Sequence, residues 1–155
     1  MYIREMGFSL VVSELVNARK PIIGHNMIYD IAYLYNQFID TLPETYPEFV
    51  REWYTRFPYL YDTKVLSSSL DLFSRTGLDT IYEKCVTDPR IRTLLSVNFD
   101  IKNGFVAYEN AGIGAHAHEA AYDAYMTGVA FAYMIRWKEP GNGLDKSQKK
   151  NKPEA

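Results

Sequence analysis

A single cysteine, Cys85, stands in 155 residues. One thiol makes no disulfide within the chain and no zinc site of the Cys-x-x-Cys kind. Histidine is scarce too: His25, His116 and His118 are the whole supply, with no i, i+4 pair to face a metal from one helix, which argues against zinc. Positive charge is not in excess, because the net charge is −2. Proteins that grip a long nucleic acid through its backbone show a basic balance, so any such contact here is short, metal-mediated or confined to a pocket. No apolar run reaches the roughly 20 residues that span a bilayer; the longest, residues 124–135, is interrupted by Thr127. The opening MYIREMG is not a basic-then-apolar leader. The expectation is an intracellular, reducing setting, cytoplasmic and/or nuclear, with no membrane partner.

What the chain does contain is core material. Hydrophobic residues make up 47% and aromatic residues 15%, with 13 Tyr and 8 Phe, which points to a packed globular body. Apolar residues thin out after Pro140, where four lysines face Asp145 and Glu154. Residues 139–155 therefore read as a disordered basic tail behind a domain of residues 1–138.

Leu10, Val11, Leu15 and Ala18 recur at helical spacing, and Pro21 forbids continuation, so the pattern predicts a helix over 8–18. Ile22-Ile23-Gly24 reads as a short buried strand. Asn26 is placed to cap a second helix, along which Ile28, Ile31, Ala32, Tyr35, Phe38 and Ile39 form an apolar stripe. Pro43 ends it, and a further helix is expected over 47–56. Tyr59-Leu60-Tyr61 reads as a second strand closing on Asp62-Thr63-Lys64. Strand, helices, strand implies a right-handed crossover and parallel pairing. A short helix over 77–85, irregular structure over 86–117 and an apolar helix over 118–137 complete the reading.

Two acids stand out. Asp30 lies about 130° around its helix from the middle of the apolar stripe, in the first turn. That position alone marks a carboxylate favoured by the helix dipole. Asp123 sits among Ala120, Ala121, Tyr122, Ala124 and Tyr125, and an acid in that company needs a partner or a metal. On one helix His118 would point about 140° away from it. The two share a site only if His118 belongs to the loop before the helix. A half-buried polar helix face with a surface histidine is the plainer alternative.

Taken together, Gly24-His25-Asn26 with Asp30, then Leu42-Pro43-Glu44, then Phe57-Pro58 with Leu60 and Asp62-Thr63-Lys64, then His118-Glu119-Ala120 with Tyr122-Asp123-Ala124-Tyr125 and Thr127-Gly128, resemble the poly(A)-specific ribonuclease family, in the branch of PARN and the PARN-like domain proteins. The resemblance runs from about Gly7 to Met134 and rests on several separate motifs. It implies a 3′-to-5′ exoribonuclease of the DEDDh type with an RNase H-like α/β fold. Asp30 and Asp123 match metal-ligand aspartates, and His118 matches the histidine that orients or deprotonates the attacking water. Lys64 matches a lysine near the 3′-terminal nucleotide, with His25 and Asn26 as weaker RNA contacts. Phosphodiester hydrolysis needs an activated water and a clamp on the leaving oxygen, which two Mg²⁺ ions about 4 Å apart provide. Magnesium prefers oxygen donors, and a histidine that titrates near neutrality suits the base.

The family's first motif, Asp-x-Glu, is absent from the 155 residues. The chain therefore reads as the C-terminal half of the nuclease domain, with parallel strands 4 and 5 and the first strands missing. Two aspartates alone hold two Mg²⁺ ions poorly. The expectations are a deadenylase-like enzyme for RNA 3′ ends, poly(A) above all, whose isolated chain is inactive, and an exposed strand edge that promotes association. The alternatives are a fragment of a longer enzyme, half of a split nuclease completed by a homodimer or another chain, and a non-catalytic scaffold or RNA- or protein-binding module.

Overall fold

Pro21 and the β-branched pair Ile22-Ile23 turn the chain from helix to strand, and a parallel partner arrives 38 residues later, at Leu60. The computed structural model describes residues 7–97, 116 and 118–142, so residues 143–155 of the expected tail and most of the 86–117 segment lie outside the described residues. The chain divides into two units, Met1–Asp62 and Thr63–Ala155, each with its own core.

The first unit holds α1 (Phe8–Ala18), β1 (Ile22–Gly24), α2 (Ile28–Phe38), α3 (Tyr46–Arg56) and β2 (Leu60–Asp62). The strands pair in parallel, with Ile22 against Leu60, Ile23 against Tyr61 and Gly24 against Asp62. The second strand thus starts one residue later than the aromatic run suggested and takes in Asp62. Ile23 and Tyr61 are exposed together, while Ile22 and Leu60 lie half-buried against the core. Ile31 and Tyr35 carry the α2 stripe inward, and Ile28 at its start stays exposed. An aromatic row fills the centre. Tyr35 meets Phe49 edge-on at 5.5 Å, and Trp53 lies between Phe49 at 6.1 Å and Phe57 at 4.5 Å.

The helix expected over 47–56 begins one residue earlier because Thr45 closes a capping box with Glu48. The Thr45 hydroxyl accepts from the Glu48 N–H, and the Glu48 carboxylate accepts from the Thr45 N–H. Such caps contribute about 1 kcal/mol. Thr45→Ala should lower unfolding free energy by about that amount, measured as a shift of the urea midpoint at constant slope.

The second unit holds α4 (Thr63–Ser68), α5 (Leu78–Thr87) and α6 (Ala120–Lys138). The short α4 follows the strand directly, where only the end of a strand was expected. Tyr122, Met126, Val129, Ala130, Tyr133 and Met134 line one face of α6 and pack with Ile81, Tyr82 and Cys85 of α5. The Tyr133 hydroxyl donates to the Leu95 carbonyl at 2.8 Å, which satisfies it inside the core. Burial pushes the Cys85 thiol up to about 12, far from the thiolate form that reacts. Alkylation by iodoacetamide at pH 8 should therefore wait for unfolding, and labelling of the native chain on the timescale of a free thiol would contradict the burial. No helix among the described residues is long and apolar enough to cross a membrane.

Candidate functional site

In the first unit the site-bearing segment is the turn after β1. Asn26 adopts φ 55°, a left-handed conformation that asparagine tolerates better than most residues. Gly24 approaches the next turn so closely that an added Cβ would lie 2.6 Å from Met27 Sδ. Asn26 does not cap α2 as its position suggested; the N-cap is Met27, and no side chain of the segment serves as the cap. The reason is the left-handed turn at Asn26, which carries the chain past the capping position. The stabilising acceptor comes instead from β2. The Asp62 carboxylate accepts from Asn26 N–H at 2.9 Å and from Met27 N–H at 3.0 Å. These donors lie at a helix start, where backbone N–H groups lack intrahelical partners.

Asp30 falls in the first turn of α2, exposed, and its carboxylate makes no hydrogen bond or ion pair with a described residue. His25 is half-buried and Asn26 exposed in the turn that precedes it. That turn and Asp62 both stand at the carboxyl ends of the parallel strands, the edge at which open α/β sheets place ligands.

In the second unit His118 precedes α6 with φ 72°, again left-handed. That conformation is uncommon away from glycine, and strained residues of this kind cluster at functional sites. It turns the His118 N–H onto Asp123 Oδ1 at 3.3 Å. Asp123 lies half-buried in the first turn of α6, while the His118 side chain stays exposed. The loop placement, which sequence spacing left as one of two alternatives, is the arrangement found. His116, two residues earlier, pairs with Glu119 at 2.7 Å and meets the Tyr122 ring edge-on at 5.7 Å. Burial, reinforced by Tyr125, pushes the Tyr82 hydroxyl up to about 12, so the tyrosines beneath α6 stay neutral. Lys64 is exposed in the first turn of α4, and its carbonyl accepts from the Ser67 hydroxyl at 2.9 Å.

Each unit therefore presents a carboxylate at a helix start beside a left-handed turn, Asp30 in one and Asp123 in the other. Asp62, which sequence reasoning took only as a strand end, is the additional residue in the first. Its signal was an acid placed opposite Gly24 by the parallel register. Among the described residues no three His, Cys, Asp or Glu side chains cluster as a metal cage. The donor chemistry of Asp30 and Asp123 nevertheless fits Mg²⁺, which takes one or two carboxylates and fills the remaining positions with water and substrate phosphate.

Residues 2–131 match the CAF1 family ribonuclease. The chain is 34% identical over 140 residues to the poly(A)-specific ribonuclease PARN of Arabidopsis thaliana, covering 82% of this chain and 20% of that protein. It is 33% identical over 135 residues to human PARN, covering 85% and 20%. It is 32% identical over 146 residues to the pre-piRNA 3′-exonuclease trimmer of Bombyx mori, covering 85% and 25%. The chain thus spans about a fifth to a quarter of the length of these relatives.

Proposed function

The chain belongs to the CAF1 family of ribonucleases, and on that premise we propose that it supplies the second- and third-motif acids of a 3′-to-5′ exoribonuclease that trims RNA tails, poly(A) among them. The observation that carries this reading is the His118–Asp123 pair, a loop histidine in a left-handed turn whose N–H holds a helix-start aspartate. The two relatives named as PARN are poly(A)-specific ribonucleases and the silk-moth relative is a pre-piRNA 3′-exonuclease. RNA 3′ ends are the chemistry these names share.

In this reading Asp30 and Asp123 hold divalent magnesium, whose chemistry is water activation and stabilisation of the leaving oxygen. His118 takes the proton of the water that attacks the terminal phosphodiester. The phosphorus–oxygen bond to the preceding 3′ oxygen breaks, and a nucleoside 5′-monophosphate departs. Lys64 neutralises a phosphate near the terminal nucleotide, and His25 and Asn26 contact the RNA from the turn after β1. Such contacts carry little base information. The parallel strands β1 and β2 are read as the fourth and fifth of an RNase H-like sheet.

The Asp-x-Glu acids are not in this sequence. The chain alone is therefore inactive, and acids from another chain segment complete the metal site. The test mixes the 155-residue chain with a 3′-adenylated RNA and Mg²⁺, with and without a polypeptide carrying an Asp-x-Glu strand. Trimming should require that polypeptide and disappear in EDTA. Trimming by the chain alone refutes its inactivity, and none in either mixture refutes the split-site reading.

A further inference from the structure

We propose that Asp62 is a positioning residue for Asp30, a role that rests on Asp30 being a metal ligand. The physical linkage is short. Both oxygens of the Asp62 carboxylate are used on the turn, Oδ1 on Asn26 N–H and Oδ2 on Met27 N–H, across a sequence separation of 36 and 35 residues. The Met27 carbonyl then accepts from Ile31 N–H at 3.0 Å, which starts the helical ladder around Asp30. Met27 and Ile31 are themselves held in the core, each 8% exposed. The peptide that precedes α2 is thus fixed at its N–H by β2, at its carbonyl by α2 and at its side chain by the core. Asp30, projecting from that turn into solvent, has no side-chain partner of its own among the described residues. Its placement is inherited from this clamp.

The clamp needs an ionised carboxylate for a chemical reason. Charge-assisted hydrogen bonds to backbone N–H groups are about twice as strong as neutral ones, and here one acid serves two donors. Asparagine would keep one acceptor oxygen and aim an NH₂ donor at the other N–H. The left-handed Asn26, which no longer has a strong acceptor in front of it, would then relax, and α2 would lose its fixed starting point.

The experiment titrates the full chain, isotope-labelled and mixed with the unlabelled Asp-x-Glu polypeptide that completes the site, with Mn²⁺ and follows paramagnetic broadening of the amides around Asp30. Four proteins are compared: wild type, Asp62→Asn, Asp30→Asn and Thr45→Ala. Wild type should show saturable broadening, and Asp30→Asn should remove it. Asp62→Asn should weaken Mn²⁺ binding about tenfold or more, the range expected for partners that orient a ligand, and speed hydrogen exchange at Asn26 and Met27. Thr45→Ala, which lowers stability at α3 alone, should bind Mn²⁺ as wild type does. Should Asp62→Asn fail to fold, Asp62→Glu takes its place with the same expected weakening. Binding within twofold of wild type in the Asp62 variant, with binding lost in Asp30→Asn, overturns the positioning role and leaves the metal reading standing. Equal weakening in Thr45→Ala makes Asp62 merely structural and overturns it too. Lost binding with unchanged exchange at Asn26 and Met27 assigns Asp62 a direct ligand role instead, again against the proposal. Absence of broadening in wild type, or its persistence in Asp30→Asn, overturns the metal reading and the positioning role with it.

Discussion

Asp123→Ala should lower the rate of Mg²⁺-dependent trimming by the completed nuclease at least about a hundredfold. The magnitude follows from the role. Mutating residues that merely orient metal ligands costs about 10–100-fold, and a residue that binds the metal directly sets a higher floor. The local structure offers a competing explanation, since Asp123 also accepts the His118 N–H at 3.3 Å. Losing that bond alone is a matter of about 1 kcal/mol of stability, enough to loosen the turn but not to remove catalysis. Asp123→Asn separates the two. It keeps an acceptor for His118 N–H and removes the negative charge. If the carboxylate binds metal, Asn and Ala variants should be equally inactive in single-turnover assays. If Asp123 serves only to hold the His118 turn, the Asn variant should retain most of the rate.

The second large effect concerns the first unit's core. Trp53 is 1% exposed, between Phe49 and Phe57, at the middle of the aromatic row. Trp53→Ala should destabilise by about 3–5 kcal/mol, since it removes the largest buried ring and leaves a cavity that neighbouring aromatics fill poorly. Against a typical domain stability of about 5–15 kcal/mol this is a large fraction. The indole N–H of Trp53 finds no acceptor among the described residues. Trp53→Phe removes that unpaired donor while keeping a ring, so it should cost far less than the alanine change. Urea unfolding followed by far-ultraviolet circular dichroism would test the order, and a Phe variant as unstable as the Ala variant would contradict it.

How far the sequence could be read depended on whether the deciding interaction was local. The helix over 8–18 and the strand Ile22–Gly24 were legible because Pro21 and β-branching act within a few residues. Parallel pairing followed from the helices between the strands. The capping box at Thr45 is also local, a Thr-x-x-Glu pattern within residues 45–48. The start of α2 was different. Asn26 had the composition of a cap, but its left-handed φ and the carboxylate of Asp62 decide how the helix begins, and that partner is 36 residues away. Spacing alone could not place His118 relative to Asp123, because the answer turned on where α6 begins. The helix starts at Ala120, which leaves His118 in the turn and within reach of the acid. The proposed metal ligands were legible only through the family's motifs. An exposed Asp30 in a first turn is physically indistinguishable from an ordinary dipole-favoured acid until those motifs are set beside it.

The central claim is that Asp30 and Asp123 are metal ligands of a nuclease site completed by other acids. Anomalous scattering from crystals of the completed nuclease, grown with Mn²⁺ and a non-hydrolysable 3′-adenylated oligonucleotide, addresses it directly. The account predicts manganese within about 2.2 Å of a carboxylate oxygen of Asp30 and of Asp123, close to the metal–oxygen distances of small hard cations. Manganese bound at the RNA 3′ end with either carboxylate beyond coordination distance would contradict it.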